Sequence, residues 1–171
     1  ERVHAIERPR ADRTRLDEAI SRIKSSRRPL ILAGGGVHYS EATEAVAEFA
    51  ARHGIPVAET QAGKGTLAAE HPCNAGGLGV TGSSAANRLL AESDLLLALG
   101  TRLQDFTTGS GRLVRDPDRR LVSVNVARHD AIKRGGVAVR GDVLATLGEL
   151  SPALAGWAAE PAWRERTRAL L

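Results

Sequence analysis

Apolar residues along the chain follow two rhythms. Runs such as Leu30-Ile31-Leu32-Ala33 and Leu95-Leu96-Leu97-Ala98-Leu99 show no polar alternation, which is the pattern of strands buried on both faces of a parallel sheet. Between such runs, apolar residues recur every three or four positions, the pattern of helices with one buried face. Leu16, Ala19, Ile20 and Ile23 predict a helix opened by Asp12 or Thr14 and stopped by Ser25-Ser26-Arg27-Arg28-Pro29. Ala42, Ala45, Val46, Phe49 and Ala50 predict a second, from about Ser40 to a stop at Gly54. Ala86, Leu89, Leu90 and Ala91 predict a third, capped by Ser83 or Ser84, and Val143, Leu144, Leu147 and Leu150 a fourth, capped by Asp142 and ended by Pro152.

Strands are predicted at 30–33, 56–59, 95–99, 121–126 and 137–139, with 74–76 as a short edge strand. Strand, Gly-rich turn, helix and strand between residues 30 and 59 make a βαβ unit, which is right-handed almost without exception. The fold expected is therefore α/β: a Rossmann-like, doubly wound, mostly parallel six-stranded sheet with helices on both faces and 95–99 in its middle. Residues 60–79 and 103–118 read as long Gly-bearing loops, a length that in compact domains signals function or an interface.

The 171 residues suit one globular domain, expected at 14–151, with 1–13 as a charged lead-in and 152–171 as a linker carrying a short helix. Trp157 and Trp163 in that linker are expected to await another domain. The chain starts at Glu1 and contains no Met, so it is expected to be a segment of a longer polypeptide. Cys73 is the single cysteine, and neither a basic-then-apolar leader nor a run of about 18 apolar residues is present. A reduced, cytoplasmic setting without membrane contact is expected. The net charge of +4 suggests no nucleic-acid partner, because the basic residues are scattered and only 3% of residues are aromatic.

Candidate chemistry gathers at glycine-rich turns. Gly34-Gly35-Gly36-Val37-His38-Tyr39 lies between a strand and a helix, where free amides and a helix dipole can hold a phosphate. Tyr39 stands where the dinucleotide fingerprint needs its third Gly, so a plain tight turn is the competing reading. Gly77-Leu78-Gly79-Val80-Thr81-Gly82 matches G-x-G-x-x-G but follows a loop. Gly63-Lys64-Gly65-Thr66 lacks the earlier Gly and the Ser or Thr after Lys of a P-loop, which excludes a Walker-type NTPase. His4, His38, His53, His71 and His129 sit in separate elements, so no zinc or other metal site is expected. Ser83-Ser84 suits helix capping rather than a nucleophile elbow. Asp105 and Asp142 suit capping and turn formation as well as ligand contact. No residues supply a nucleophile with a base and an orienting partner.

Taken together and in order, these segments resemble the central domain of thiamine-diphosphate-dependent enzymes of the acetolactate synthase and pyruvate decarboxylase group. The segments are Arg28-Pro29-Leu30-Ile31-Leu32-Ala33-Gly34-Gly35-Gly36, Gly63-Lys64-Gly65, His71-Pro72, Gly79-Val80-Thr81-Gly82 with Ala86-Asn87, Asp94 through Arg102, Val124-Asn125-Val126 and Gly141-Asp142-Val143. Glu59 through Gly65, Gly79 through Asn87 and Gly100 through Ser110 look most like the hydrolase branch, which opens a cyclic diketone by carbon–carbon cleavage in myo-inositol breakdown. An acetolactate synthase-like carboligase or decarboxylase domain is the alternative within the group. An independent FAD- or ADP-binding module, in the manner of electron-transfer flavoprotein or sirtuin domains, is the alternative outside it.

The resemblance implies that thiamine diphosphate and its magnesium lie between two flanking domains of the same chain, with the catalytic Glu in the first of them. It also implies a homo-oligomeric parent and a fragment that contains no catalytic residue, is inactive alone and serves as a spacer. Some relatives hold FAD or ADP at the strand ends of this domain. The positions implied here are Gly35 and Gly36, Thr60, Gln61 and Ala62, Val80, Thr81 and Gly82, and Thr101 with Arg102. Asn125-Val126-Ala127 replaces the acidic pair of FAD-binding relatives, and Phe106 stands where the synthases have Arg.

Overall fold

The computed structural model describes residues 5–115 and 120–171, so the readings for His4 and for the ends of the lead-in and of the 103–118 loop lie outside the described residues. Among the described residues the strands are β1 (Pro29–Ala33), β2 (Val57–Glu59), β3 (Asn74–Gly77), β4 (Leu95–Leu99), β5 (Arg120–Asn125) and β6 (Val137–Arg140). They form one parallel sheet in the order β3-β2-β1-β4-β5-β6, with β4 paired to β1 on one side and to β5 on the other. This is the Rossmann-like architecture expected, here with every pairing parallel.

The helices are α1 (Arg13–Lys24), α2 (Gly35–Tyr39), α3 (Thr43–His53), α4 (Ser84–Glu92), α5 (Asp105–Thr108), α6 (Arg128–Ile132), α7 (Val143–Ala153) and α8 (Pro161–Leu170). Side chains alternate across a strand, so the unbroken leucines of β4 serve two cores. Leu95, Leu97 and Leu99 pack with Leu16 of α1, Phe49 of α3 and Leu147 of α7. Leu96 and Ala98 pack with Leu89 of α4 and Trp163 of α8. The helix starts follow the capping residues: Asp12 accepts from Arg15 N at 3.1 Å, Ser83 from Ala86 N at 3.0 Å and Asp142 from Ala145 N at 3.0 Å.

Several expectations are corrected. The triple glycine is not a bare turn: Gly34 caps α2, and α3 begins at Thr43 rather than near Ser40, after a kink with Glu41 at φ 54°. The 103–118 loop contains α5 and a 3-10 turn over 112–114, held by Thr108 Oγ1 donating to Gln104 O and accepting from Gly111 N. The short helix α6 was not expected, because one turn with a single buried residue, Ala131, has no visible period. Pro152 lies inside the last turn of α7, which closes one residue later with Leu154 N donating to Leu150 O.

Trp163 is covered within this chain, and Trp157 packs half-buried on the first core. Trp163 is buried and its Nε1 donates to Pro29 O at 2.9 Å, while Trp157 accepts from His53 Nδ1 through its carbonyl at 2.7 Å. Trp163 and Thr167 are the buried positions of α8, and Leu170 packs half-buried on the same core, which gives a helical stripe facing the sheet.

Candidate functional site

In this strand order the chain leaves β1 toward β2 and later returns to β4 on the other side, so the β1 and β4 tips diverge at a topological switch point. The two tips are fastened together by backbone. Gly34 N donates to Leu99 O at 2.8 Å and Gly36 N to Gly100 O at 2.9 Å. A Cβ on Gly34 would stand 2.4 Å from Gly100 O, and one on Gly36 would stand 2.6 Å from Gly100 Cα. These glycines are therefore required for close packing of one loop on the other. The same bonds commit two of the three glycine amides that a phosphate would use.

Beside this contact lies a cleft of about 600 Å³ at the strand tips. Gly35, Gly36, Thr60, Ala62, Thr101 and Arg102 line it. Gln61, Thr81 and Gly82 do not; with Thr60 they line an adjoining cavity of about 660 Å³ near the β2 and β3 tips. Val80 lines neither and is 65% exposed, its amide donating to Phe106 O at 3.2 Å. The structure thus divides the expected site residues between two neighbouring spaces that share Thr60.

Local bonds occupy much of the cleft's polar lining. Thr60 Oγ1 accepts from Gly63 N at 3.0 Å, and Thr101 Oγ1 accepts from Leu103 N at 3.2 Å. Asn125 Nδ2 donates to Thr101 O at 3.1 Å while its Oδ1 accepts from Ala127 N at 3.0 Å. Arg102 is exposed, with Nη2 donating to Gln104 Oε1 at 3.2 Å. Among the described lining residues it is the one Arg or Lys, facing the acids Glu7, Asp130 and Asp142. Glu59 is buried just behind, accepting from Gly65 N at 3.2 Å and Leu67 N at 2.9 Å, so it holds the following loop in place.

The lead-in closes one side of the cleft through a network that carried no sequence signal beyond the Asp142 cap. Ser40 Oγ donates to Asp142 Oδ2 at 2.7 Å, Arg8 Nη1 approaches Asp142 Oδ1 at 3.3 Å and also donates to Ser40 O, and Asp142 N donates to Pro9 O at 2.8 Å. Burial pushes the Asp142 carboxyl upward. The bonds from the Ala145 amide, Ser40 and Arg8 outweigh it and hold the pKa below its ordinary value. Ile6 and Glu7 of the same lead-in reach the cleft wall.

Among the described residues no group of three His, Cys, Asp or Glu side chains could hold a metal ion, and no helix is long and apolar enough to cross a membrane. Burial raises the pKa of the Cys73 thiol.

Residues 16–150, from α1 through α7, match the family described as the central domain of thiamine pyrophosphate enzymes, and the chain belongs to that family. Its curated relatives include the 3D-(3,5/4)-trihydroxycyclohexane-1,2-dione hydrolase of Geobacillus thermodenitrificans, 44% identical over 153 residues, or 90% of this chain and 24% of the relative. The enzyme of the same name from Clostridium perfringens strain 13 is 42% identical over 153 residues, again 90% of this chain and 24% of the relative. A Bacillus cereus enzyme, the second of that name in its strain, is 41% identical over 152 residues, 86% of this chain. The chain spans about a quarter of the length of these relatives, 24% in each case. Family and branch both agree with the resemblance carried by the motifs.

Proposed function

We propose that this chain is the central, non-catalytic domain of a thiamine-diphosphate-dependent hydrolase that opens trihydroxycyclohexanedione in myo-inositol breakdown. The observation that carries this reading is the identity of over 40% to hydrolases of that name, extending across nine-tenths of the chain. Flanking domains of the same polypeptide are its partners and hold thiamine diphosphate with magnesium. The described residues do not fit that cofactor: among them no acidic or histidine group is assembled to hold the magnesium of a diphosphate. The domain acts as a spacer whose β1 and β4 tips are locked by glycine contacts.

The strand-tip cleft keeps the position of a nucleotide pocket, and FAD or ADP there is the second reading, favoured by that position at the switch point. Gly35, Gly36, Thr60, Ala62, Thr101 and Arg102 would form its wall, with Gln61, Thr81 and Gly82 in the adjoining space and Val80 at the rim. The committed Gly34 and Gly36 amides, and a described lining that offers one arginine and no lysine, disfavour a diphosphate, which supports the spacer reading.

The test is made on the full-length polypeptide and on this chain. The full-length protein is expected to hydrolyse trihydroxycyclohexanedione only with thiamine diphosphate and magnesium added. The isolated chain is expected to give no heat of stoichiometric thiamine diphosphate binding, neither flavin absorbance nor an ADP-dependent rise in melting temperature. Tight binding of thiamine diphosphate to the chain alone would refute the spacer reading, and an ADP-dependent melting shift would establish the second.

A further inference from the structure

A third cavity, of about 620 Å³, lies away from the switch point, against the opening residues of β5 and β6. Its charge is opposite to that of the strand-tip cleft. Arg22, Arg115, Arg120, Lys133 and Arg134 line it, and among the described lining residues there is no Asp or Glu. Arg120 marks the first residue of β5, whereas Asn125 of the strand-tip cleft is the last, so the two spaces sit at opposite ends of one strand.

The cations are only partly neutralised. Lys133 pairs with Asp130 at 2.8 Å, and Arg134 meets Asp105, itself 82% exposed, at 3.5 Å while donating to Leu103 O. Arg22 approaches Glu18 at 3.8 Å. Arg120 bonds the Ser25 hydroxyl, and among the described residues neither it nor Arg115 forms an ion pair. Like charges gathered in one concavity repel unless an anion joins them, and a low-dielectric wall sharpens the field there. Such a wall is present: Leu96, Leu103 and Leu121 contribute apolar surface to the same cavity.

We propose that this cavity is a second ligand site, taking a small molecule that carries a phosphate on a flat apolar body. The guanidinium groups of Arg115 and Arg120 match the geometry of phosphate oxygens, and the leucines receive the apolar part. A bare anion satisfies only the rim, and a neutral ring only the wall.

The experiment is a titration of the isotopically labelled 171-residue chain, followed by amide resonances, with phenyl phosphate, inorganic phosphate and phenol as probes. Phenyl phosphate is expected to shift Gly111, Leu121 and Gly136, and to bind about tenfold or more tightly than either other probe, since only it removes apolar area from water while meeting the cations. Raising salt is expected to weaken it. Arg115→Gln, an exposed position, is expected to weaken it about threefold or more with the melting temperature unchanged; the Arg115→Gln/Arg120→Gln pair weakens it further. The proposal is overturned if the shifts centre on Gly35 and Thr101, if phenyl phosphate and inorganic phosphate bind alike, or if Arg115→Gln changes nothing. Loss of the response in the full-length polypeptide, where another domain would then cover the cavity, also overturns it. None of these outcomes bears on the flanking-domain reading, which rests on thiamine diphosphate.

Discussion

Gly36 and Gly100 meet backbone to backbone: the Gly36 amide donates to the Gly100 carbonyl at 2.9 Å, and a Cβ on either would stand 2.6 Å from the other's Cα. Gly100 also has φ 58°, which an L side chain adopts at a cost. Gly100→Ala therefore combines a clash with strain, whereas Gly36→Ala tests the clash alone. Both are expected to lower stability by about 2 kcal/mol or more, the range for overpacking and special backbone positions. Gly35→Ala, whose nearest neighbours would be the Ala62 Cβ at 3.1 Å and Ala62 O at 3.3 Å, is expected to cost less than about 1 kcal/mol. Urea unfolding of the three variants separates these outcomes, and equal costs at Gly35 and Gly36 would remove the packing explanation for the triple glycine.

Asp142 carries three duties: it caps α7, accepts from the Ser40 hydroxyl and holds Arg8 of the lead-in. Asp142→Ala removes the cap, leaves the buried Ser40 hydroxyl without its acceptor and takes one of several partners from half-buried Arg8, which keeps Ser40 O and Glu41, for an expected loss of about 2 to 4 kcal/mol. Asp142→Asn keeps the cap and loses the charge, so it is expected to cost less. Amide hydrogen exchange distinguishes the two roles. Faster exchange at Ala145 reports the cap and faster exchange at Asp142 N, bonded to Pro9 O, reports the strap.

Much of this was legible along the chain, for identifiable reasons. The leucines of β4 are unbroken because both faces are covered, and the Asp12, Ser83 and Asp142 caps announced helix starts that the structure keeps. Gly34-Gly35-Gly36 was legible as a special turn, but not its helical character, since Gly, Val, His and Tyr are weak helix formers and tertiary contacts decide such short turns. Nothing local pairs Gly36 with Gly100 or Arg8 with Asp142; those contacts join segments distant along the chain. The division of the expected site residues into two spaces has the same cause, because Gln61 and Ala62 are adjacent in sequence yet line different spaces. Trp157 and Trp163 misled because a terminal, charged segment reads as a linker until its apolar stripe is matched to the uncovered sheet face.

That match makes Trp163 part of the fold. The residue is 2% exposed and its Nε1 donates to Pro29 O at 2.9 Å. Trp163→Phe retains most of the apolar contact and loses the bond, leaving a buried carbonyl short of one partner; the expected cost is about 1 to 2 kcal/mol. Trp163→Ala adds a cavity and is expected to cost about 3 to 5 kcal/mol. Ending the chain after Ala153 is expected to expose Leu89, Leu96 and Ala98 and to promote association, seen as a shift in elution on size-exclusion chromatography. A monodisperse truncated chain with unchanged melting would return 154–171 to the status of a linker.

The docking of α8 is also expected to depend on acid. Glu92 of α4 receives Arg166 Nε at 2.9 Å and Nη2 at 2.7 Å, a two-pronged pair between the helices. Hydrogen bonds from Arg166 lower the Glu92 pKa to about 2; burial opposes them, a bond from Arg88 and the charges of both arginines add to the lowering, and the same pair raises the pKa of Arg166. A carboxylate whose pKa falls on folding stabilises the fold above its unfolded value of 4.5, and that contribution fades as pH drops from there toward about 2. Asp142, lowered from 3.8, loses its contribution as pH falls below that value, so the two overlap. Glu92→Gln separates them: it is expected to lower stability at pH 7 and to flatten the decline between about pH 5 and pH 3, leaving the Asp142 part. The effect is modest, since both partners are about one-third exposed and salt screens them. Urea midpoints across that range, with Trp163 fluorescence as the readout for α8, measure it; identical pH curves for the parent and Glu92→Gln would show that the pair contributes nothing to holding α8.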